Sequence, residues 1–150
     1  MDKDIREFDL EIHSLGFFIH RALYSMIKSL NKELKNQNIN LQHSEFTILE
    51  ALNVLNSASQ SQLAAVLGKE RSGIGRSLSS LEEKGFIRRE ALNGSSNIVT
   101  LTEKSRQIIP LLDDIIKKVT DKAFKGIPQK SRLSIVRNLT KIYNNGLSDE

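Results

Sequence analysis

An apolar side chain returns every third or fourth residue from Ile5 to Leu34, through Phe8, Ile12, Leu15, Ile19, Leu23, Met26 and Leu30. That spacing is the stripe of an amphipathic helix, and about thirty residues of it reach roughly 45 Å at 1.5 Å per residue. A helix that long outreaches the core of a small domain, so part of its stripe needs cover from another helix. Either an intramolecular hairpin or a second subunit can supply it. In a chain of 150 residues the second subunit is the natural source.

Shorter elements follow. Residues 36–40 read as a loop, and a second helix over 44–55 carries Phe46, Leu49, Leu52 and Leu55 at steps of three. Residues 56–59 form a polar break. Ser59-Gln60-Ser61-Gln62 matches a capping box, which opens a short helix through Leu67 with Leu63, Ala64 and Leu67 apolar. Gly68-Lys69-Glu70 is a tight connection, with glycine where a left-handed cap is wanted. The next helix spans 71–84, buries Ile74, Leu78 and Leu81, and stops at Gly85.

Two strand-like runs over 86–92 and 97–101 flank Asn93-Gly94, a signal for a two-residue hairpin turn. Thr102 can cap a long helix from 103 to about 125, with Ile108, Leu111 or Leu112, Ile115 and Val119 on its apolar line. Gly126 and Pro128 punctuate, and Leu133, Val136, Leu139 and Ile142 define a last helix that ends near Asn145-Gly146.

The composition excludes several chemistries. With no cysteine there are no disulfides, thiolate nucleophiles or thiol redox switches. His13 and His20 stand seven apart, which is not the spacing of a helical metal pair. Asp113-Asp114 and Glu82-Glu83 read as solvated helix faces, and no glycine-rich phosphate loop occurs. The expectation is a protein that is not an enzyme and holds no cofactor or metal. The polar, acidic start and the lack of a long apolar run predict a cytoplasmic protein with no membrane span. Net charge is +4, unevenly spread, because 1–56 carry six basic and eight acidic groups whereas 103–150 carry ten and six. A mildly basic chain with an acidic N-terminal segment is compatible with nucleic-acid binding.

The order of elements says more. Two short helices joined by a tight turn and followed by a hairpin make a winged helix-turn-helix, so the fold class is mainly α with a small β-hairpin wing (α+β). Such a helix fits the major groove while the hairpin lies over neighbouring backbone. On the helix from Arg71, the faces not occupied by Ile74, Leu78 and Leu81 carry Arg71, Ser72, Gly73, Gly75, Arg76, Ser77, Ser79 and Ser80, with no acidic residue before Glu82. Arg71, Ser72 and Arg76 are the candidates for base contacts. Lys69, Ser59, Gln60, Arg88 and Arg89 are candidates for phosphates, and Ser61, Gly73, Gly75, Ser77, Asn93 and Ser95 complete the candidate DNA-binding set. Gly73 and Gly75 each cost about 1 kcal/mol relative to alanine in a helix. Bare backbone set close to DNA and a frayed helix start both account for them. Arg88 and Arg89 face opposite ways, so one of them should meet phosphate or the adjoining helix.

Ser61-Gln62-Leu63-Ala64, Leu67-Gly68, Arg71 to Arg76, Leu81-Glu82-Glu83-Lys84-Gly85-Phe86-Ile87-Arg88-Arg89 and Val99-Thr100-Leu101-Thr102-Glu103-Lys104 together resemble the MarR family of transcriptional regulators. The resemblance implies a homodimer. Its DNA-binding lobe would lie at about 41–102 of a single 1–150 domain, with dimerisation helices at about 4–36 and 103–146. It further implies a pseudo-palindromic double-stranded operator, Arg76 as the family's common recognition-helix arginine, and Arg89 as the arginine at the wing base. Family members usually repress genes, and many release DNA on binding a small anionic or aromatic effector. Phe17, His20, Arg21 and Tyr24 on the first helix resemble the place where such ligands bind. One departure stands out: where the family's wing usually carries an Asp-x-Arg run, this chain has Asn93, Gly94 and Ser95, about two residues short. Without a tip arginine, minor-groove readout should weaken. The competing readings are a winged-helix protein-interaction module and a DNA-binding regulator that responds to no ligand.

Overall fold

Ser59 ends one element and starts the next. In the computed structural model, which describes residues 15–92 and 96–147, Ser59 Oγ accepts from the Gln62 N–H at 3.2 Å and Gln62 Oε1 accepts from the Ser59 N–H at 2.8 Å. This is the reciprocal box that the four residues encode. Around it the described chain runs α1 (Leu15–Asn36), α2 (His43–Leu55), β1 (Ser57–Ser59), α3 (Gln60–Leu67), α4 (Arg71–Glu83), β2 (Ile87–Leu92), β3 (Ser96–Leu101), α5 (Glu103–Ala123) and α6 (Gln129–Leu147).

β1 is an element the sequence reading passed over as a polar break. The sheet is antiparallel in the order β1-β3-β2, with Ala58 opposite Val99 on one side of β3 and Arg89 opposite Val99 on the other. Three residues are too few to show a period of two, and two of these are serines. The strand exists because β3 offers a free edge and Ala58 is buried against the lobe's core. The hairpin register pairs Leu92 with Ser96. The Asn93-Gly94 turn, and with it the wing-tip candidates Asn93 and Ser95, lies outside the described residues.

The core joins Phe46, Leu49 and Leu52 of α2, Leu63 of α3, and Ile74, Leu78 and Leu81 of α4 to Ile87 and Val99 of the sheet, all buried. Two expectations shift. Leu55 is 40 % exposed, and Ile48 takes the buried place on α2. Steps of three drift off the face of a 3.6-residue helix, so a run of them cannot all point inward. On α5 the apolar line runs through Leu112 rather than Leu111, with Ile115 and Val119 buried beside Leu30 and Leu34 of α1.

The first turn of α5 is fastened to the lobe. Thr102 Oγ1 accepts from the Ser105 N–H and donates to the Gly85 carbonyl at 2.7 Å, and the Ser105 hydroxyl donates to the Phe86 carbonyl. Lys104 Nζ lies 4.4 Å above the Phe86 ring. Farther along, Lys118 of α5 pairs with Glu33 of α1 at 2.7 Å. Much of the apolar surface of α1 and α6 is open in the single chain. Leu15 and Leu23 are exposed, and α6 has no buried residue although Leu133, Val136, Leu139 and Ile142 sit on it. No helix among the described residues is long and apolar enough to cross a membrane.

Candidate nucleic-acid interface

The turn between α3 and α4 is shaped by Gly68, whose φ of +58° and ψ of +43° close α3 in the left-handed conformation. A side chain there would also meet an obstacle: a Cβ on Gly68 would come within 3.1 Å of the Tyr143 ring on α6. The Tyr143 hydroxyl in turn donates to the Ala65 carbonyl at 3.3 Å. The far end of α6 therefore rests on the helix-turn-helix connection of the same chain.

Beyond the turn, α4 presents Arg71, Ser72 and Arg76 to solvent, with Ile74, Leu78 and Leu81 on its hidden face. Gly73 lies within the regular helix, where its N–H bonds the Glu70 carbonyl at 3.1 Å, and a Cβ built there meets nothing within 4 Å. The helix start is therefore not frayed at this position. Gly75 has a different reason: a Cβ there would fall 2.9 Å from Gln60 Nε2. That amide donates to the Arg71 carbonyl at 2.8 Å and ties the start of α3 to the start of α4. Gln60, read from sequence as a phosphate contact, has its amide group engaged in holding the two helices of the motif together. Ser61 is exposed on α3, and Lys69 is half-buried in the turn.

The two wing arginines divide as the alternation of a strand requires. Arg88 is exposed, whereas Arg89 folds back onto α4. There its Nε donates to Glu82 Oε2 at 2.8 Å, its backbone N–H donates to Glu82 Oε1 at 3.2 Å, and Nη2 also reaches Ser79 Oγ at 3.5 Å. The Arg89 hydrogen bonds hold the Glu82 carboxyl below the usual carboxylate range. Arg89 thus meets the adjoining helix, with much of its charge compensated, whereas Arg88 is exposed and has no side-chain partner among the described residues. The sequence reads Glu82, with Glu83, as a solvated helix face and as the first acidic residue of α4; instead Glu82 is engaged by Arg89. Its service to Arg89 had no local signal, because the partner lies across a helix end and a turn.

On α1, Phe17, His20, Arg21 and Tyr24 are all exposed, with the Arg21 guanidinium 5.5 Å from the Phe17 ring centroid. In the single chain they form an aromatic and cationic strip rather than an enclosed pocket.

Three helices, a three-stranded sheet and a solvent-facing cationic helix after a capped tight turn define a winged helix-turn-helix protein. Comparison with known proteins sharpens this. Residues 41–96 match the model of the MarR family. The fold of the longer chain is shared as well. A MarR transcriptional regulator from Methanosarcina mazei superposes with a TM-score of 0.78 at 21 % identity, over 90 % of this chain and 90 % of that one. A mutant MarR from E. coli solved in complex with operator DNA gives 0.78 at 20 % identity, over 88 % of this chain and 95 % of that one. BpsR of Bordetella bronchiseptica, whose DNA binding is regulated by 6-hydroxynicotinic acid, gives 0.77 at 17 % identity, over 88 % and 95 %.

Proposed function

We propose that this chain is a transcriptional regulator that binds double-stranded DNA as a homodimer, with α4 of each subunit in the major groove. The observation that carries the reading is the exposed N-terminal half of α4, where Arg71, Ser72 and Arg76 stand in solvent with no carboxylate on the helix before Glu82. Such a surface suits phosphates and guanine edges. A protein-docking surface would more often offer exposed aromatics or large aliphatics. The match of 41–96 to the MarR family and the DNA-bound E. coli relative support the same reading.

The dimer is supported by the apolar faces left open on α1 and α6, which one chain cannot cover. Two recognition helices about one helical turn apart would then read a pseudo-palindromic operator. The mode of action we propose is repression in the cytoplasm, released by a small anionic or aromatic effector, without enzymatic activity. The α1 strip of Phe17, His20, Arg21 and Tyr24 would become a pocket wall once a partner covers it. BpsR, which responds to a small aromatic acid, offers the precedent.

The test is an anisotropy titration of the chain with DNA from upstream of its own gene at two salt concentrations, beside an Arg71→Ala/Arg76→Ala variant, with light scattering to give the oligomeric state. Tight binding that falls steeply with salt and is lost in the variant supports the reading. A monomer, or binding indifferent to salt and to both arginines, overturns it.

A further inference from the structure

A cleft of about 430 Å³ runs along the flank of α4 against the first turn of α2, and Ser44, Lys69, Arg76 and Ser77 all line it. We propose that this cleft seats one phosphate of the DNA backbone, held by the Lys69 and Arg76 cations and by the hydroxyls of Ser44 and Ser77; the assignment rests on the DNA-binding reading above.

Three observations converge on it. The first is charge. The carboxylate that lines the cleft is Glu45, and it is already satisfied: both of its oxygens accept from Lys84 Nζ at 2.8 Å, and one also accepts from the Gln42 N–H at 2.8 Å. The side chains of Lys69 and Arg76 have no hydrogen-bond or ion-pair partner among the described residues. The cleft is therefore a positive site whose carboxylate is already compensated. Nearby, burial first and the charge of Lys69 second hold the His43 imidazole below its ordinary value.

The second is hydrogen-bonding capacity. Ser77 Oγ donates to Ser44 Oγ at 3.2 Å. A hydroxyl carries one proton, so the Ser44 proton stays available for an incoming oxygen. A phosphate oxygen accepts such a proton strongly because it is charged.

The third is position. Arg76 belongs both to the wall of the cleft and to the exposed face of α4, so the cleft opens beside the surface that would enter the groove. Gly73 borders the same cleft and puts no side chain in the way. A phosphate held between α2 and α4 would fix the angle at which α4 enters, because α2 is part of the rigid lobe through its buried Phe46, Ile48, Leu49 and Leu52.

The experiment uses the full chain and a duplex that the chain itself selects from a randomised library. Each phosphate of that duplex is replaced singly by a neutral methylphosphonate. The proposal expects one position per half-site whose neutralisation weakens the wild-type protein roughly tenfold and weakens Lys69→Gln clearly less, because only the Arg76 cation and the two hydroxyls then remain to hold it. Lys69→Gln should also lower the slope of log K against log salt by about one, and should weaken selected and scrambled duplexes alike. Ser44→Ala should weaken both duplexes several-fold without altering base preference. Matched thermal midpoints for wild type and Lys69→Gln exclude misfolding. An unchanged salt slope, or a methylphosphonate profile identical in wild type and Lys69→Gln, overturns the seat while leaving DNA binding intact. Competition by inorganic phosphate beyond that of chloride at equal ionic strength marks a free-anion site and overturns the assignment to DNA. A chain that retains no duplex at all overturns the DNA-binding reading, and the seat with it.

Discussion

Lys84, which closes α4, donates to both carboxylate oxygens of Glu45 in the first turn of α2, at 2.8 Å each and across 39 positions of sequence. Glu45 is almost wholly buried and Lys84 is only partly exposed. The pair locks the N-terminus of α2 to the C-terminus of α4. Removing one partner of a buried pair costs about 3–5 kcal/mol, because the other charge is left uncompensated. Lys84→Met should therefore lower the urea midpoint sharply, and Glu45→Gln/Lys84→Met should recover part of the loss. A single variant within experimental error of wild type would show that the pair does not hold the lobe.

The same carboxylate makes stability depend on pH. Burial pushes Glu45 up, but the hydrogen bonds from Lys84, Ser80 and Gln42 and the charge of Lys84 outweigh it, so its pKa lies below the ordinary 4.5. The folded state therefore holds fewer protons than the unfolded one near that value, and the contribution of Glu45 is full above about 4.5 and fades as pH falls through the lower folded value. His43 adds the same sign at higher pH. Burial and Lys69 lower it from 6.5, so acidification below that value favours the unfolded, protonated form. Urea unfolding followed from pH 8 to pH 3 should show a fall in stability beginning near 6.5 and a second beginning near 4.5. His43→Gln should abolish the first fall and keep the second.

Gly73 and Gly75 should separate under the same substitution. Gly73→Ala gains helix propensity into open space, about 1 kcal/mol, and this should raise the melting temperature by roughly 2–4 °C in a chain of this size. Gly75→Ala displaces the Gln60 amide that bonds the Arg71 carbonyl, and the loss of about 1 kcal/mol from that bond offsets the helix gain. Calorimetry of the two variants decides it. Equal stabilisation by both would mean that Gln60 does not brace the motif.

Tyr143 and Gly68 form a second coupled pair. Gly68→Ala places a methyl group in a left-handed conformation, at about 1–2 kcal/mol, and crowds the Tyr143 ring. In a Tyr143→Ala background only the backbone cost remains, so the double-mutant cycle should show a coupling energy above about 0.5 kcal/mol. Strict additivity would mean that α6 does not rest on the turn.

Glu82 should restrain DNA binding by compensating Arg89. Glu82→Gln removes the negative charge that Arg89 Nε meets at 2.8 Å and leaves a free cation beside Arg88. Affinity for selected and scrambled DNA should rise together, with a steeper salt dependence. Anisotropy titrations at two salt concentrations measure both, and unchanged slopes would show that Arg89 is not near phosphate.

Much of this fold was legible because its signals are local. The stripe of α1 from Leu15 onward, the earlier positions Ile5, Phe8 and Ile12 lying outside the described residues, the Ser59–Gln62 box, the cap at Gly68 and the triad Ile74, Leu78 and Leu81 each rest on residues within a few positions of one another, where helix geometry and backbone hydrogen bonding decide the outcome. The exposed face of α4 followed directly, since a helix with its buried residues known has its remaining face known as well. The sequence by itself thus determined which of the described segments are helices, where they stop, and which side chains of α4 reach solvent. The tertiary structure alone decided the rest. β1 needed the free edge of β3, Arg89 needed Glu82 from the end of α4, and Gln60 was taken up by the Arg71 carbonyl eleven positions on. Ser44 and Ser77 met across 33 positions and Tyr143 reached Ala65 across 78. Such partners are set by how the helices pack in space, and no periodicity within either segment encodes a contact that depends on both.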